Sequence, residues 1–246
     1  MRKVVDRNKY DSVIDSLCLI SGHYNECGFE KLIQQICSVK EFFEIKLMFV
    51  GHFNAGKSSL LNGLIERPGF LKEAQLPQTA VAAELRYDEM ERSFAYRRDG
   101  GREPLTERAT REPNKYSHLE YWLPAPGLKQ VSDYTIVDTP GFDSGIEAHA
   151  KALACYIGVG SAYIVVADQE KGGIDETTLR FIEEISQYSD QIAVLINKCD
   201  KITKTVAEEI AASARVLLLS RGFPYPVYTI SKRDMDVCGK LVLCKS

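Results

Sequence analysis

The sequence has no uninterrupted apolar stretch of 18 residues, so it predicts no membrane-spanning helix. Its opening, MRKVVDRNKYDSVIDSLCLI, lacks the continuous apolar segment of a secretory signal. No two of its seven cysteines form a Cys-x-x-Cys pair, and the count is odd. That argues against a disulfide framework or structural zinc, and for small buried hydrophobes in a reducing compartment. These absences favour the cytoplasm. Positive charge is not in excess either: 31 Lys and Arg face 34 Asp and Glu, for a net charge of −3. A polybasic nucleic-acid binder has a different balance, so no nucleic acid is expected as a partner. Repeats and low-complexity linkers are missing as well.

What is present is a chain of 246 residues, 45% hydrophobic and 26% charged, long enough to bury a real core and too apolar to stay disordered. Residues 10–42 carry apolar side chains at helical spacing, broken by Gly22 and Gly28. This pattern predicts an N-terminal helical hairpin, with a unit over 1–44 ahead of a larger one over 45–246. Short apolar runs at Ile45–Val50, Tyr134–Val137, Ala162–Ala167, Ile192–Ile196 and Val227–Ile230 read as buried strands. Helical patterns at Lys57–Glu66, Gly145–Ile157, Glu176–Tyr188 and Ala207–Ser220 separate them. The alternation predicts an α/β fold of three layers, a mostly parallel sheet with helices on both faces. Between Thr79 and Val137 the alternation breaks. VAAELRYDEMERSFAYRRDGGREPL reads as antiparallel strands turning at Asp99-Gly100-Gly101, a solvated hairpin of mixed charge. PNKYSHLEYWL reads as a short helix after it.

The chemistry lies where strands end. The first run leads into Gly51-His52-Phe53-Asn54-Ala55-Gly56-Lys57-Ser58, which fits G-x-x-x-x-G-K-[ST]. Glycines let the backbone wrap closely around phosphate with successive N–H groups pointing inward. The following helix aims its positive end at the same anion. Lys57 would reach the β- and γ-phosphates and Ser58 would ligate Mg²⁺, with Ser59 next to it in the first turn. A second strand ends in Asp138-Thr139-Pro140-Gly141. An acid there can hold Mg²⁺ opposite Ser58, and the Gly141 N–H can meet the γ-phosphate. A third strand ends in Asn197-Lys198-Cys199-Asp200. The Asp200 carboxylate can accept two hydrogen bonds from guanine but is left unpaired by adenine. Asn197 would contact the base and brace the phosphate loop, while the Lys198 stem packs over purine and ribose. Two weaker signals complete the set. Thr79, in Leu76-Pro77-Gln78-Thr79, is the candidate switch threonine for Mg²⁺ and γ-phosphate, with Thr110 as competitor. Ser231-Lys232 stands where a last loop offers an N–H to guanine O6.

Ordered motifs at 51–58, 79, 138–141, 197–200 and about 231 resemble the five G motifs of P-loop GTPases. Within that class the chain most resembles the GTPase domain of bacterial dynamin-like proteins. The likeness rests on G-x-F-N-A-G-K-S-S-L-L-N, the L-P-Q-T switch, the long interval before D-T-P-G, and the N-terminal hairpin, which in dynamins belongs to the neck. The resemblance implies GTP hydrolysis to GDP and phosphate, nucleotide-dependent pairing of two heads, and membrane remodelling in a full-length protein. A stalk and a membrane-binding element do not fit in the 15 residues between Ser231 and the end at Ser246, so any membrane contact is expected through domains outside this chain.

The chain also departs from the family. Ras-like enzymes carry a water-orienting Gln after D-x-x-G, where this chain has Phe142. Eukaryotic dynamins carry a Gln in the phosphate loop, where it has Phe53. Slow hydrolysis is therefore expected, aided by backbone groups, a cation or a second head. Asn54 is placed as in potassium-activated GTPases of the Era/MnmE kind, where K⁺ offsets charge in the transition state. His52 and His149 read as packed or solvated rather than catalytic. Two alternatives remain at this level: a slow GTP-binding switch that recruits a partner, and an Era/MnmE-like GTPase acting on RNA.

Overall fold

The computed structural model describes residues 45–71, 81–105, 115–142 and 160–230. The expected hairpin at 10–42 and helix at 145–157 lie outside these residues. Strands β1 (Ile45–Gly51), β2 (Ala82–Tyr87), β3 (Arg92–Arg97), β4 (Arg102–Pro104), β5 (Tyr116–Leu123), β6 (Tyr134–Asp138), β7 (Ala162–Asp168), β8 (Ile192–Asn197) and β9 (Val227–Thr229) form one sheet in the order β4-β3-β5-β2-β6-β1-β7-β8-β9. From β6 to β9 all neighbours are parallel. β2 runs antiparallel to β6, β5 parallel to β2, β3 antiparallel to β5, and β4 antiparallel to β3. The mostly parallel α/β architecture with an antiparallel insertion is thus as the alternation of runs implied.

Each face of the parallel half carries its own core. On one, Met48, Val50 and Val165 meet Leu179, Ile182 and Ile185 of α3 (Glu176–Ile185) and Ala211, Ala214 and Leu218 of α4 (Lys204–Ser220). On the other, Leu47, Phe49 and Ile136 meet Leu60, Leu61 and Leu64 of α1 (Lys57–Leu64) and Leu128 of α2 (Pro126–Gln130). Alternate residues of β1 therefore serve opposite cores, as the period of two requires of a strand buried on both sides. Helix α4 turns Ala207, Ala211, Ala214 and Leu218 inward. That spacing makes one helical stripe, and three alanines in it let the helix lie close to the sheet.

One expectation fails. Residues 116–123 are strand β5, not a helix. Tyr116, Tyr121 and Trp122 favour a pleated surface, and the segment fills the gap between β2 and β3, giving both strands a partner. The helix comes later, at α2, where Pro126 stands in the first turn. The hairpin turn is where it was read: the Gly100 N–H donates to Arg97 O at 3.0 Å, with φ +94° at Gly100. The hairpin's setting is not merely solvated. Glu84 and Glu120 are register partners and are 1% and 4% exposed. Lys46 meets Glu84 at 2.5 Å, and Arg86 bridges Glu84 at 3.5 Å and Glu120 at 3.1 Å. The Tyr96 hydroxyl adds a hydrogen bond to Glu120 at 3.0 Å, and Arg102 stands 3.7 Å from it.

Candidate functional site

Because β6, β1, β7 and β8 are parallel neighbours, their carboxyl ends share one edge of the sheet. In register, Phe49 lies beside Asp138, Gly51 beside Val166 and Asp168 beside Asn197. Three motifs spread over 150 positions are thereby gathered on one rim, the usual place for ligands in open α/β sheets.

The phosphate loop runs from β1 into α1. Asn54 adopts a left-handed φ of +62° at the exposed crest, a conformation Asn tolerates better than most residues. Ala55 is buried beneath it, and its N–H donates to His52 O at 3.2 Å. Gly56 caps α1 with φ +95° and offers no side-chain cap, which leaves the helix's first N–H groups facing the loop. The buried Lys57 ammonium donates to Gly51 O at 3.0 Å and His52 O at 2.9 Å. Ser58 and Ser59 follow in the first turn, both half-buried.

Ser58 Oγ donates to Asp138 Oδ2 at 2.6 Å. Asp138 Oδ1 is buried with no hydrogen-bond partner among the described residues. Burial pushes the Asp138 carboxyl above its ordinary value, against the Ser58 hydrogen bond and the Lys57 charge, which favour the carboxylate. A buried acceptor of this kind is costly unless something binds it. An oxygen-seeking cation suits the pair: hydroxyl and carboxylate are hard ligands, and Mg²⁺ draws its remaining ligands from phosphate and water. Among the described residues, no three His, Cys, Asp or Glu side chains cluster to hold a metal unaided. Two oxygens plus a bound phosphate is therefore the arrangement the residues fit.

The D-T-P-G turn is fastened to the phosphate loop. Thr139 Oγ1 donates to Phe49 O at 2.7 Å, and the Phe142 N–H reaches Gly51 O at 3.4 Å. A Cβ on Gly141 would stand 2.5 Å from Phe53 N and 2.7 Å from Phe53 Cα, so only glycine lets these backbones touch.

The third motif is braced in the same way. Asn197 Nδ2 donates to Ala55 O at 2.9 Å, and a Cβ on Gly56 would stand 2.3 Å from that nitrogen. Asn197 Oδ1 is a second buried atom with no hydrogen-bond partner among the described residues. Lys198 takes a left-handed φ of +64°, swinging Asp200 to the surface in the short 3₁₀ turn Cys199–Lys201.

Two features escaped the sequence reading. Asp168, at the end of β7, receives Lys198 Nζ at 2.5 Å, and Glu170 stands 3.8 Å from the same ammonium. An apolar strand ending in an acid on the same rim as Asp138 was the available signal. The second is His52, which is buried as one of its readings had it, but is also paired: Nε2 lies 2.9 Å from Asp175 Oδ1. Burial draws the Asp175 carboxyl up, yet hydrogen bonds from Thr178 and His52 outweigh it and bring the group down to about 2. Thr79, Ser231, Lys232 and His149 lie outside the described residues, so the structure brings together Gly51–Ser59, Asp138, Gly141 and Asn197–Asp200.

A Gly-x-x-x-x-Gly-Lys-Ser loop, a carboxylate–serine pair and an Asn-Lys-Cys-Asp loop on one rim of this sheet are the marks of the P-loop GTPase class. The sequence model of the dynamin family matches residues 47–199, and the chain belongs to that family. An uncharacterized protein of the xynA 3' region in Caldicellulosiruptor sp. (strain Rt8B.4) is 27% identical over 76% of this chain and 49% of its own. Dynamin-like protein A of Bacillus subtilis (strain 168) is 25% identical over 73% of this chain and 15% of its own. A solved structure of an oligomerised bacterial dynamin pair, described as a mechanism for long-range sensing and tethering of membranes, matches with TM-score 0.64 at 17% identity. It covers 100% of this chain and 42% of that one. At that identity the likeness speaks for the fold. The chain spans about half the length of the first relative and far less of the second. No helix of the described residues is long and apolar enough to cross a membrane.

Proposed function

We propose that this chain is the head of a dynamin-like protein that binds GTP with Mg²⁺ and hydrolyses it to GDP and phosphate. The observation that carries this is the Asn197–Ala55 bond of 2.9 Å, which locks the base-reading loop onto the phosphate loop. In this reading the backbone N–H groups of Gly51–Ser59 cradle the phosphates, and Lys57 leaves its two carbonyl partners for the β- and γ-phosphates. Ser58, Asp138 and Thr79 hold the cation, whose charge offsets that of the phosphates. Gly141 offers its N–H to the γ-phosphate. Asp200 reads guanine, Asn197 and Lys198 flank the base, and the Ser231–Lys232 loop meets guanine O6. Attack by water proceeds in line, with catalysis by positioning and electrostatics.

The test is affinity for GTP, GDP and ATP with and without Mg²⁺. Lys57→Ala should weaken triphosphate binding by roughly a hundredfold or more, the scale of losing a buried charge-assisted contact. If Lys57→Ala binds GTP as the parent does, the phosphate site is misassigned. Rates rising with protein concentration support nucleotide-dependent pairing of heads. Rates equal in KCl and NaCl remove K⁺, and with it the role of Asn54 as its ligand. By its relatives, the full-length protein would act at a membrane through parts outside this chain.

A second reading, a slow switch that recruits a partner, is favoured by one observation. Phe142, standing where a water-orienting side chain would be, is stacked on Phe181 at 4.5 Å instead. Single-turnover rates flat across protein concentration would select it.

A further inference from the structure

His52 occupies the first variable position of the phosphate loop, a place where nothing assigned so far requires an imidazole. Its side chain is only 5% exposed. Its carbonyl receives Lys57 Nζ and the Ala55 N–H, so its backbone already shapes the loop. Its ring does two further things. Nε2 meets Asp175 Oδ1 at 2.9 Å, and that oxygen also accepts the Thr178 N–H at 2.8 Å as the N-cap of α3. The ring also packs on Phe142, tilted by 52° with centroids 4.5 Å apart, and Phe142 stacks on Phe181 of α3, also at 4.5 Å. An aromatic column thus runs from the phosphate loop through the residue after D-T-P-G into α3, and one carboxylate pins its first member.

The column bears on the turn that senses the third phosphate. Gly141 touches the backbone of Phe53, and Phe142 hangs from Gly51 O, so the turn cannot move without shifting its Phe142 ring against His52. Resting on the nucleotide assignment above, we propose that His52 is a positioning residue. Anchored by Asp175, its ring seats Phe142 and holds the Gly141 N–H where a γ-phosphate reaches it. The device favours triphosphate over diphosphate, because the α- and β-phosphates are held by the phosphate loop and α1, and only the γ-phosphate depends on the turn.

The test is the ratio of affinities for a non-hydrolysable GTP analogue and for GDP. Asp175→Ser keeps an N-cap oxygen for Thr178 but is too short to reach His52. It should weaken the triphosphate analogue about tenfold, the scale of one hydrogen bond to a charged group, and leave GDP within about twofold. Asp175→Asn, which keeps an acceptor at full reach, should restore most of the ratio. His52→Leu should lower the ratio as Asp175→Ser does, and the double variant should be no worse than either, because both break one link. Melting temperatures of the nucleotide-free proteins report whether α3 survives. Equal losses for both nucleotides, no loss, or additive losses would overturn the inference. A parent protein that binds neither nucleotide would sink the assignment of the site instead.

Discussion

The two halves of the sheet treat their buried carboxylates differently. In the parallel half, strand interiors are apolar but for Lys46 and Thr135, and Asp138, Asp168 and Asn197 stand at the carboxyl ends. Two of them keep a buried oxygen without a hydrogen-bond partner among the described residues, Asp138 Oδ1 and Asn197 Oδ1. In the antiparallel half, charge lies in mid-strand. Glu84 and Glu120 are at least as buried, but every carboxylate oxygen has a partner: Lys46 and Arg86 for Glu84, and Arg86, Tyr96 and Arg102 for Glu120. Burial alone therefore does not mark function. An unmatched buried acceptor at a strand end indicates a ligand, whereas carboxylates matched oxygen by oxygen in mid-strand indicate structure.

The largest expected effect tests the rim. Asp200→Ala should erase the preference for guanine over adenine, a ratio of about 10⁴ or more when a site rejects a ligand by leaving its own carboxylate unpaired. Asp200 is exposed, so the melting temperature should stay put. Competition binding with GTP and ATP reads the ratio. A variant that still prefers GTP a thousandfold would mean the base is read elsewhere.

The contrast was half legible in the amino-acid order. The rim was readable because its parts are contiguous strings, each tied to the end of an apolar run: Gly51–Ser58, Asp138–Gly141 and Asn197–Asp200. The five parallel strands were readable for the same reason, since a strand buried on both faces leaves a continuous apolar signature. The antiparallel half carries no such signature. Strand β5 mixes Tyr, His, Glu and Trp, and its strand state depends on flanking by β2 and β3. The partners of Glu84 come from β1 as well as from β2 itself, and Arg102 reaches Glu120 from the hairpin. The His52–Asp175 contact spans 123 positions. Only the folded topology brings such pairs together.

The next effect in size tests the other half. Glu84→Ala leaves Lys46 and Arg86 without their shared carboxylate in a buried setting. Breaking a buried pair by removing one partner costs about 3–5 kcal/mol. For a domain of this size that is a fall in melting temperature of roughly 10 °C. Guanine preference should be unchanged, because no residue of this network lies on the rim. Thermal melting and the GTP-to-ATP ratio, measured on one preparation, separate the two outcomes. A stable variant with altered specificity would erase the distinction between the halves.

The smallest effect sharpens the comparison most, because its sign differs between two measurements on one residue. Asp138 is a buried acid whose environment favours the protonated form. Burial in the folded, nucleotide-free protein disfavours a charge at that position. Asp138→Asn removes the charge, keeps the size, and keeps an acceptor for the Ser58 hydroxyl. It should therefore stabilise the free protein by about 0.5–2 kcal/mol, as relieving functional strain commonly does. The same change removes one of two oxygens suited to the cation, so the Mg²⁺-dependent gain in GTP affinity should shrink by about tenfold or more. A higher melting temperature without nucleotide, together with a weaker response to Mg²⁺, is the paired result expected of a residue kept for a ligand. If Asp138→Asn lowers the melting temperature as Glu84→Ala does, the orphaned oxygen is structural after all, and the two halves of the sheet follow one rule.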